Sequence, residues 1–179
     1  MDQPQASFEQ HQAAGSKYGA LGFAVVTMSD SRTPETDTSG QLIRDAVVAA
    51  GHKVVRYALV KDDPNEVRSE LRSALADKEV AVIVTNGGTG ISLRDNAYET
   101  VVSILEKPLD GFGEIFRMLS FAEVGSAAIL SRARAGVIRG RPVFLLPGSG
   151  HAVELAMTRI VLPEIGHVLF ELRRHGLRS

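Results

Sequence analysis

The sequence predicts an α/β fold, a three-layer α/β/α sandwich around a mainly parallel sheet, and three observations carry that expectation. Short apolar runs rich in β-branched residues alternate with helical stripes along the chain. Each run is nearly all apolar, as in a strand covered on both faces. Two of the strongest runs, 80–85 and 142–146, empty into glycine turns. An open parallel sheet builds its ligand site in this way, at the carboxyl ends of its strands.

The first strand is predicted at Gly22 to Met28, ending in the turn formers Ser29 to Pro34. A helix opens at Asp37-Thr38-Ser39-Gly40, with Thr38 or Ser39 as the capping acceptor. Leu42, Ile43, Ala46, Val47 and Ala50 form its inner stripe, and Gly51 ends it. Lys53 to Val60 is a second strand. Asp63 then caps a helix that has Pro64 at its first position and runs to about Ala76. Val67, Leu71, Ala74 and Leu75 line its inner face. Val80 to Thr85 is the third strand, and Ala97 to Leu105 is helical by pattern.

After the break at Pro108 to Gly111, Phe112 to Leu119 reads as a short helix with Ile115, Phe116 and Leu119 inward. Ala127 to Ser131 reads as a helical turn, and Ala133 to Ile138 as a weaker strand. Pro142 to Leu146 is a strong strand that ends in Pro147-Gly148-Ser149-Gly150. The last helical stretch runs from His151 to His175, interrupted near Pro163. Residues 1–19 show no sustained period and read as a flexible tail, anchored if at all by Phe8 and Tyr18, which leaves 20–179 as one domain.

Composition narrows the function classes. The chain has 179 residues, 44% apolar and 23% charged, as expected of one soluble globular domain. A net charge of −1 gives no global reason to expect nucleic acid or an acidic membrane as partner. With no cysteine there is no disulfide framework, thiolate metal site or cysteine nucleophile. The start of the chain lacks the basic and apolar regions of a signal peptide, and no apolar run approaches the roughly 20 residues that cross a bilayer. The expectation is a cytoplasmic protein. His151, His167 and His175 lack the paired spacing of a zinc motif, and His52 reads as a surface residue. No Gly-x-Ser-x-Gly elbow supports serine hydrolysis.

Three polar constellations remain. In the loop Asn86-Gly87-Gly88-Thr89-Gly90, glycines let backbone amides approach a ligand, and successive amides make a concave anion site. Thr89, Ser92, Arg94 and Asp95 accompany it within one turn. No Gly-Lys-Ser/Thr follows, so it is not a Walker loop. Asp30, Asp62 and Asp95 each follow a predicted strand, and on one rim they could hold Mg²⁺, which takes carboxylates, waters and substrate phosphates. Pro147, Gly148 and Ser149 lie where the last strand meets the last helix, a second anion-binding position. Two such positions fit a phosphate-bearing substrate.

Taken together, Thr85 to Gly90 with Arg94-Asp95, Gly111-Phe112-Gly113-Glu114 with Arg117, and Leu146 to Ser149 resemble the MoaB and MogA proteins of molybdenum-cofactor biosynthesis. The segment Asp110 to Ser120 is especially MoaB-like, and the resemblance spans roughly residues 20 to 175. It implies a molybdopterin-binding fold and a homo-oligomer, trimer or hexamer. It also implies a reaction in which molybdopterin and Mg-ATP give adenylylated molybdopterin and pyrophosphate. In that resemblance Asp62 and Asp95 are the catalytic, metal-holding acids. Asn86 to Gly90, Ser92, Arg94, Glu114 and Pro147 to Ser149 bind substrate. Phe112, Phe116, Met118 and Phe121 are candidates for the contact between subunits. After Arg94-Asp95 many relatives read Val-Thr-Pro-Glu, where this chain reads Asn96-Ala97-Tyr98-Glu99. Two competing readings stand beside the transferase: a molybdopterin-binding protein without ATP chemistry, and a nicotinamide-nucleotide deamidase, against which the compact length and the Phe112 to Ser120 segment argue.

Overall fold

A computed structural model describes residues 18–174. The expected tail over residues 1–17, with Phe8, and the end of the last helix at His175 lie outside the described residues. In chain order the elements are β1 (Gly22–Met28), α1 (Thr38–Ala49), β2 (Lys53–Val60), α2 (Pro64–Ala76), β3 (Val82–Asn86), α3 (Ala97–Val102), β4 (Lys107–Pro108) and α4 (Asp110–Val124). A 3₁₀ segment (Gly125–Leu130) leads to β5 (Arg134–Ile138) and β6 (Arg141–Leu146). The chain closes with α5 (Gly150–Ala156), a π turn (Met157–Val161) and α6 (Leu162–Arg173).

The six strands form one sheet in the order β2-β1-β3-β6-β5-β4. The first four are mutually parallel, and β5 runs antiparallel to both β6 and β4. Strand period sets the two cores. Phe23 and Val25 of β1 face α1, α4 and α6 through Ile43, Val47, Phe116, Ile165 and Leu169. Ala24 and Val26 face the other way, onto Val67 and Leu71 of α2 and Val101 of α3. Helices thus cover both faces, as the apolar runs predict.

Most departures from the sequence reading lie at helix ends and faces. Asp37, not Thr38 or Ser39, caps α1, its carboxylate accepting from the Gly40 amide at 3.0 Å. Leu42 is 40% exposed and Ala50 exposed, so the α1 stripe is narrower than its apolar residues. The helix expected over Phe112 to Leu119 runs instead from Asp110 to Val124, and its inward residues include Phe112, Phe116 and Ser120, with Ile115 exposed. Phe112 and Phe116 belong to this chain's own core, which removes them as subunit-contact candidates. Half-buried His52 is no surface residue: it accepts from the Leu21 amide and stacks on Phe23, and burial pulls its pKa down. Asp63 and Pro64 start α2 as expected. In the last stretch Pro163 offers no N–H to the carbonyl four residues back, and the ladder widens into the π turn just before it.

Candidate functional site

Strand order fixes where the site falls. The chain leaves β1 toward β2 on one side and, after β2, crosses back to β3 on the other. The loops that follow β1 and β3 therefore open a crevice between them, the switch point of an open parallel sheet. A cavity of about 290 Å³ occupies it. Met28, Ser29, Ser31 and Arg32 line it after β1, Gly87 to Gly90 and Asp95 after β3, and Gly148 after β6. A larger groove of about 350 Å³ lies where β6 begins, at the opposite end of the parallel strands, between α2 and the β5–β6 turn. No glycine loop borders that groove.

The glycines of the loop are required by what surrounds them. Gly87 and Gly88 have φ of 91° and 59°, in the region that side chains disfavour. A Cβ on Gly87 would run into the Met28 carbonyl, and one on Gly88 would meet Asp62 Oδ2 and the Ala97 Cβ, each at 2.5 Å. A Cβ on Gly90 would strike the Asp95 carboxylate. The backbone is thus pressed against both acids that the sequence singles out. Asn86, at the root of the loop, is buried; its Oδ1 accepts from the Thr27 hydroxyl at 2.8 Å, and its Nδ2 has no partner among the described residues.

The three carboxylates share one rim, as expected. Asp30 Oδ1 accepts from the Asp62 amide at 3.2 Å, and Asp62 Oδ1 from the Asn96 amide at 3.1 Å. Asp95 Oδ2 accepts from the Ser92 amide at 2.8 Å. Burial pushes the Asp62 carboxyl above the usual carboxylate range; the Asn96 and Ala97 amides oppose this, and the charges of Asp95 and Asp30 add to it. Among the described residues no three His, Cys, Asp or Glu side chains are arranged to hold a metal by themselves. Mg²⁺ does not need three, since it takes one or two carboxylates and completes its shell with waters and phosphates. A like-charged pair beside a glycine loop fits that ion.

The remaining expected residues are distributed unevenly. Thr89 is buried in the loop. Ser92 and Arg94 are exposed beyond it; Arg94 Nη2 reaches Asp30 Oδ2 at 3.3 Å, and its amide donates to Ser92 Oγ at 3.3 Å. Ser149 caps α5, its Oγ accepting from the Ala152 amide at 3.3 Å, while Pro147 and Gly148 are half-buried. Glu114 lies on the exposed side of α4 and does not line the cavity.

Two arginines hold the walls in place. Arg32 Nη2 and the Ser39 hydroxyl both donate to the Gly148 carbonyl, at 2.8 and 2.6 Å. Arg32 Nη1 donates to Ser39 Oγ at 3.0 Å and to Asp37 Oδ1 at 3.3 Å. Opposite, Arg132 donates from Nε to the Thr89 carbonyl and from Nη2 to the Gly90 carbonyl, each at 2.8 Å. Its Nη1 pairs with Glu99 Oε1 at 2.6 Å, and its guanidinium lies 4.2 Å from the centre of the Tyr98 ring. The Arg132 bond holds the Glu99 carboxyl below the usual range. Sequence reading missed Arg132 altogether. Arg132 sits 43 residues from Thr89, and no local pattern links the two.

The family described as "Probable molybdopterin binding domain" matches residues 24–167. The molybdenum cofactor biosynthesis protein B of Halalkalibacterium halodurans is 50% identical over 167 residues, 93% of this chain and 97% of its own length. A crystal structure of a molybdenum cofactor biosynthesis protein B superposes with a TM-score of 0.84 at 48% identity, covering 87% of this chain and 97% of that one. The tungsten cofactor synthesizing protein MoaB of Pyrococcus furiosus gives a TM-score of 0.78 at 39% identity, covering 86% and 98%.

Proposed function

The chain belongs to the family of probable molybdopterin binding domains, and from that premise we propose that its cavity carries out an adenylyl transfer from Mg-ATP to molybdopterin. The pathway, molybdenum cofactor biosynthesis, is that of its half-identical relatives. One observation carries the reading. The crevice between the β1 and β3 loops brings the glycine-loop amides, Arg32 and Asp95 around a single cavity, with Asp62 directly behind Gly88.

In this reaction a phosphate oxygen of molybdopterin attacks the α-phosphorus of ATP. The new P–O bond forms as the bond to the bridging oxygen breaks, and pyrophosphate leaves. Such a transfer asks the protein for alignment and for compensation of charge on phosphate oxygens, not for covalent help. Amides of the glycine loop hold one phosphate. Arg32 uses only part of its five-donor fork on the protein and keeps the rest for another. Asp62 and Asp95 are the residues that would hold Mg²⁺. When bound, that ion neutralises charge on the α-phosphate and the departing pyrophosphate.

The test is pyrophosphate release from Mg-ATP in the presence and absence of molybdopterin. Release is expected only with the pterin and is abolished by Asp95→Asn in a folded protein. A wild-type chain that binds the pterin yet releases no pyrophosphate sinks the transferase reading. A second reading, molybdopterin binding without ATP chemistry, draws on one feature: Asp62 and Asp95 each already accept a backbone amide and so serve the loop structurally. Calorimetry separates the two, because saturable Mg-ATP binding counts against the second.

The same proposal includes a homo-oligomer, trimer or hexamer. Met118 and Phe121 on α4 are each 63% exposed, and Ile129 and Leu130 of the 3₁₀ segment are 84% and 59% exposed. Such apolar surface is characteristic of a subunit contact. Light scattering that finds a stable monomer at micromolar concentration removes this part.

A further inference from the structure

We infer that Tyr98 and Arg132 form a clamp that aims the amides of the glycine loop at the bound phosphate, which makes Arg132 a positioning residue for the site. The inference rests on the reading that this loop holds a phosphate. The Tyr98 amide donates to the Gly88 carbonyl at 3.2 Å. Arg132 takes the next two carbonyls, those of Thr89 and Gly90. Three successive carbonyls are therefore drawn to one wall, where the Arg132 guanidinium lies over the Tyr98 ring and pairs with Glu99.

A trans peptide unit is planar, with its N–H pointing opposite its C=O. Fixing the carbonyls of Gly88, Thr89 and Gly90 thereby fixes the amides of Thr89, Gly90 and Ile91, directed away from the Tyr98–Arg132 wall. None of those three amides donates to a protein acceptor among the described residues. Every carbonyl is held while every amide is free, as an anion nest requires. A loop whose carbonyls were free to rotate would turn oxygen toward a phosphate in some of its conformations, and alignment would be lost at the moment of transfer. Lysine cannot do the work of Arg132. Its single ammonium lacks the planar fork that serves two carbonyls and a carboxylate at once and also lies flat on a ring.

The test compares wild type with Arg132→Lys, Tyr98→Phe and Tyr98→Pro, by calorimetric titration with Mg-ATP and with inorganic pyrophosphate. Amide order parameters of residues 89–91 and thermal melting are measured on the same proteins. Tyr98→Phe keeps both the amide and the ring and should match wild type. Tyr98→Pro removes the donor to Gly88 in a first helical turn that tolerates proline. Tyr98→Pro and Arg132→Lys are expected to weaken both titrants by about tenfold or more. Their loop order parameters should fall from about 0.85 toward 0.6, with little change in melting. Undiminished binding by Arg132→Lys, or equal damage from Tyr98→Phe and Tyr98→Pro, overturns the clamp. If wild type binds neither titrant, the phosphate reading of the loop fails and order parameters alone judge the clamp. A fall in Arg132→Lys then upholds it as the device that orders the loop, and unchanged values overturn it.

Discussion

Replacing Asp37 tests the interior brace behind the cavity. Its side chain is buried and accepts from the Gly40 amide at 3.0 Å, the Tyr57 hydroxyl at 2.8 Å and Arg32 Nη1 at 3.3 Å. In Asp37→Ala the lost helix cap costs about 1 kcal/mol. The Tyr57 hydroxyl, left without its acceptor, adds about 1–2 kcal/mol. Arg32 retains 28% side-chain exposure and can be rewetted, so its loss adds about 0–1 kcal/mol. The expected total is roughly 2–4 kcal/mol, a downward shift of about 1–2 M in the urea midpoint at one fixed protein concentration. Asp37→Asn keeps size and one capping oxygen but puts an NH₂ donor where the other oxygen accepts, so it loses the charge and one accepted bond, for about 1–2 kcal/mol.

The pH dependence gives a second check on Asp37. Burial opposes its ionisation, yet the hydrogen bonds from the Gly40 amide and the Tyr57 hydroxyl, together with the Arg32 charge, hold the carboxyl below the usual range. A depressed folded-state pKa gives stability that is present above the unfolded value near 3.9 and is lost as pH falls through the folded value. The gap between wild type and Asp37→Asn should be full at neutral pH and close in acid. An Asp37→Ala protein within about 0.5 kcal/mol of wild type, or a gap that persists in acid, refutes the reasoning.

Three further outcomes follow from the same geometry. Burial, then the Asp37 hydrogen bond and charge, push the Tyr57 phenol up to about 12, so its stabilisation is full below the unfolded value near 10 and is lost as pH rises through about 12; ultraviolet titration in a Tyr18→Phe, Tyr98→Phe background should show that midpoint, Asp37→Asn should lower it, and an unmoved midpoint contradicts the contact. Gly87→Ala forces a Cβ toward the Met28 carbonyl at a φ of 91° and is expected to cost about 1–3 kcal/mol in thermal melting, so an unchanged melt would show that the loop does not need this conformation. The raised Asp62 pKa means that the neutral acid is favoured in the folded state, a contribution present below the unfolded pKa and lost as pH rises through the folded one; Asp62→Asn should therefore melt no lower than wild type at neutral pH without Mg²⁺ while losing Mg-ATP binding, and a clear loss of stability would reverse that sign.

What the sequence disclosed and what it withheld divide along the range of the interactions. β1, β2 and the α2 start were legible because the Gly22 to Met28 and Lys53 to Val60 runs, Asp63 and Pro64 act through neighbours in the chain. So were the rim positions of Asp62 and Asp95, since a parallel sheet places every βα turn at one end. Asp37 as cap was missed because Thr38, Ser39 and Asp37 are all capping types, and burial beside Tyr57 and Arg32 selects the carboxylate. β4 is two residues long and pairs with β5, beyond the reach of any period. Phe112, Phe116, Met118 and Phe121 share one helical pattern, and only the arrival of Phe144 and the C-terminal helix decides which of them are covered.

The Asn96-Ala97-Tyr98 departure acquires a physical meaning from the same long-range contacts. A proline at the position of Tyr98 presets the helix start but has no N–H, so the Gly88 carbonyl would lose its donor there. It also presents no aromatic face to a guanidinium. Tyr98 supplies both, and the α3 start is served without proline by Asn96, whose amide donates to Asp62. On the other wall Arg32 and Ser39 hold the Gly148 carbonyl. On each wall of the crevice an arginine therefore turns carbonyls into the protein, and the glycine loop and Asp95 are left to line the cavity between β1 and β3. The sequence change beside Asp95 thus exchanges one way of fixing the loop for another, and under the proposed transfer, which depends on groups already aimed when charge shifts, it leaves the loop held.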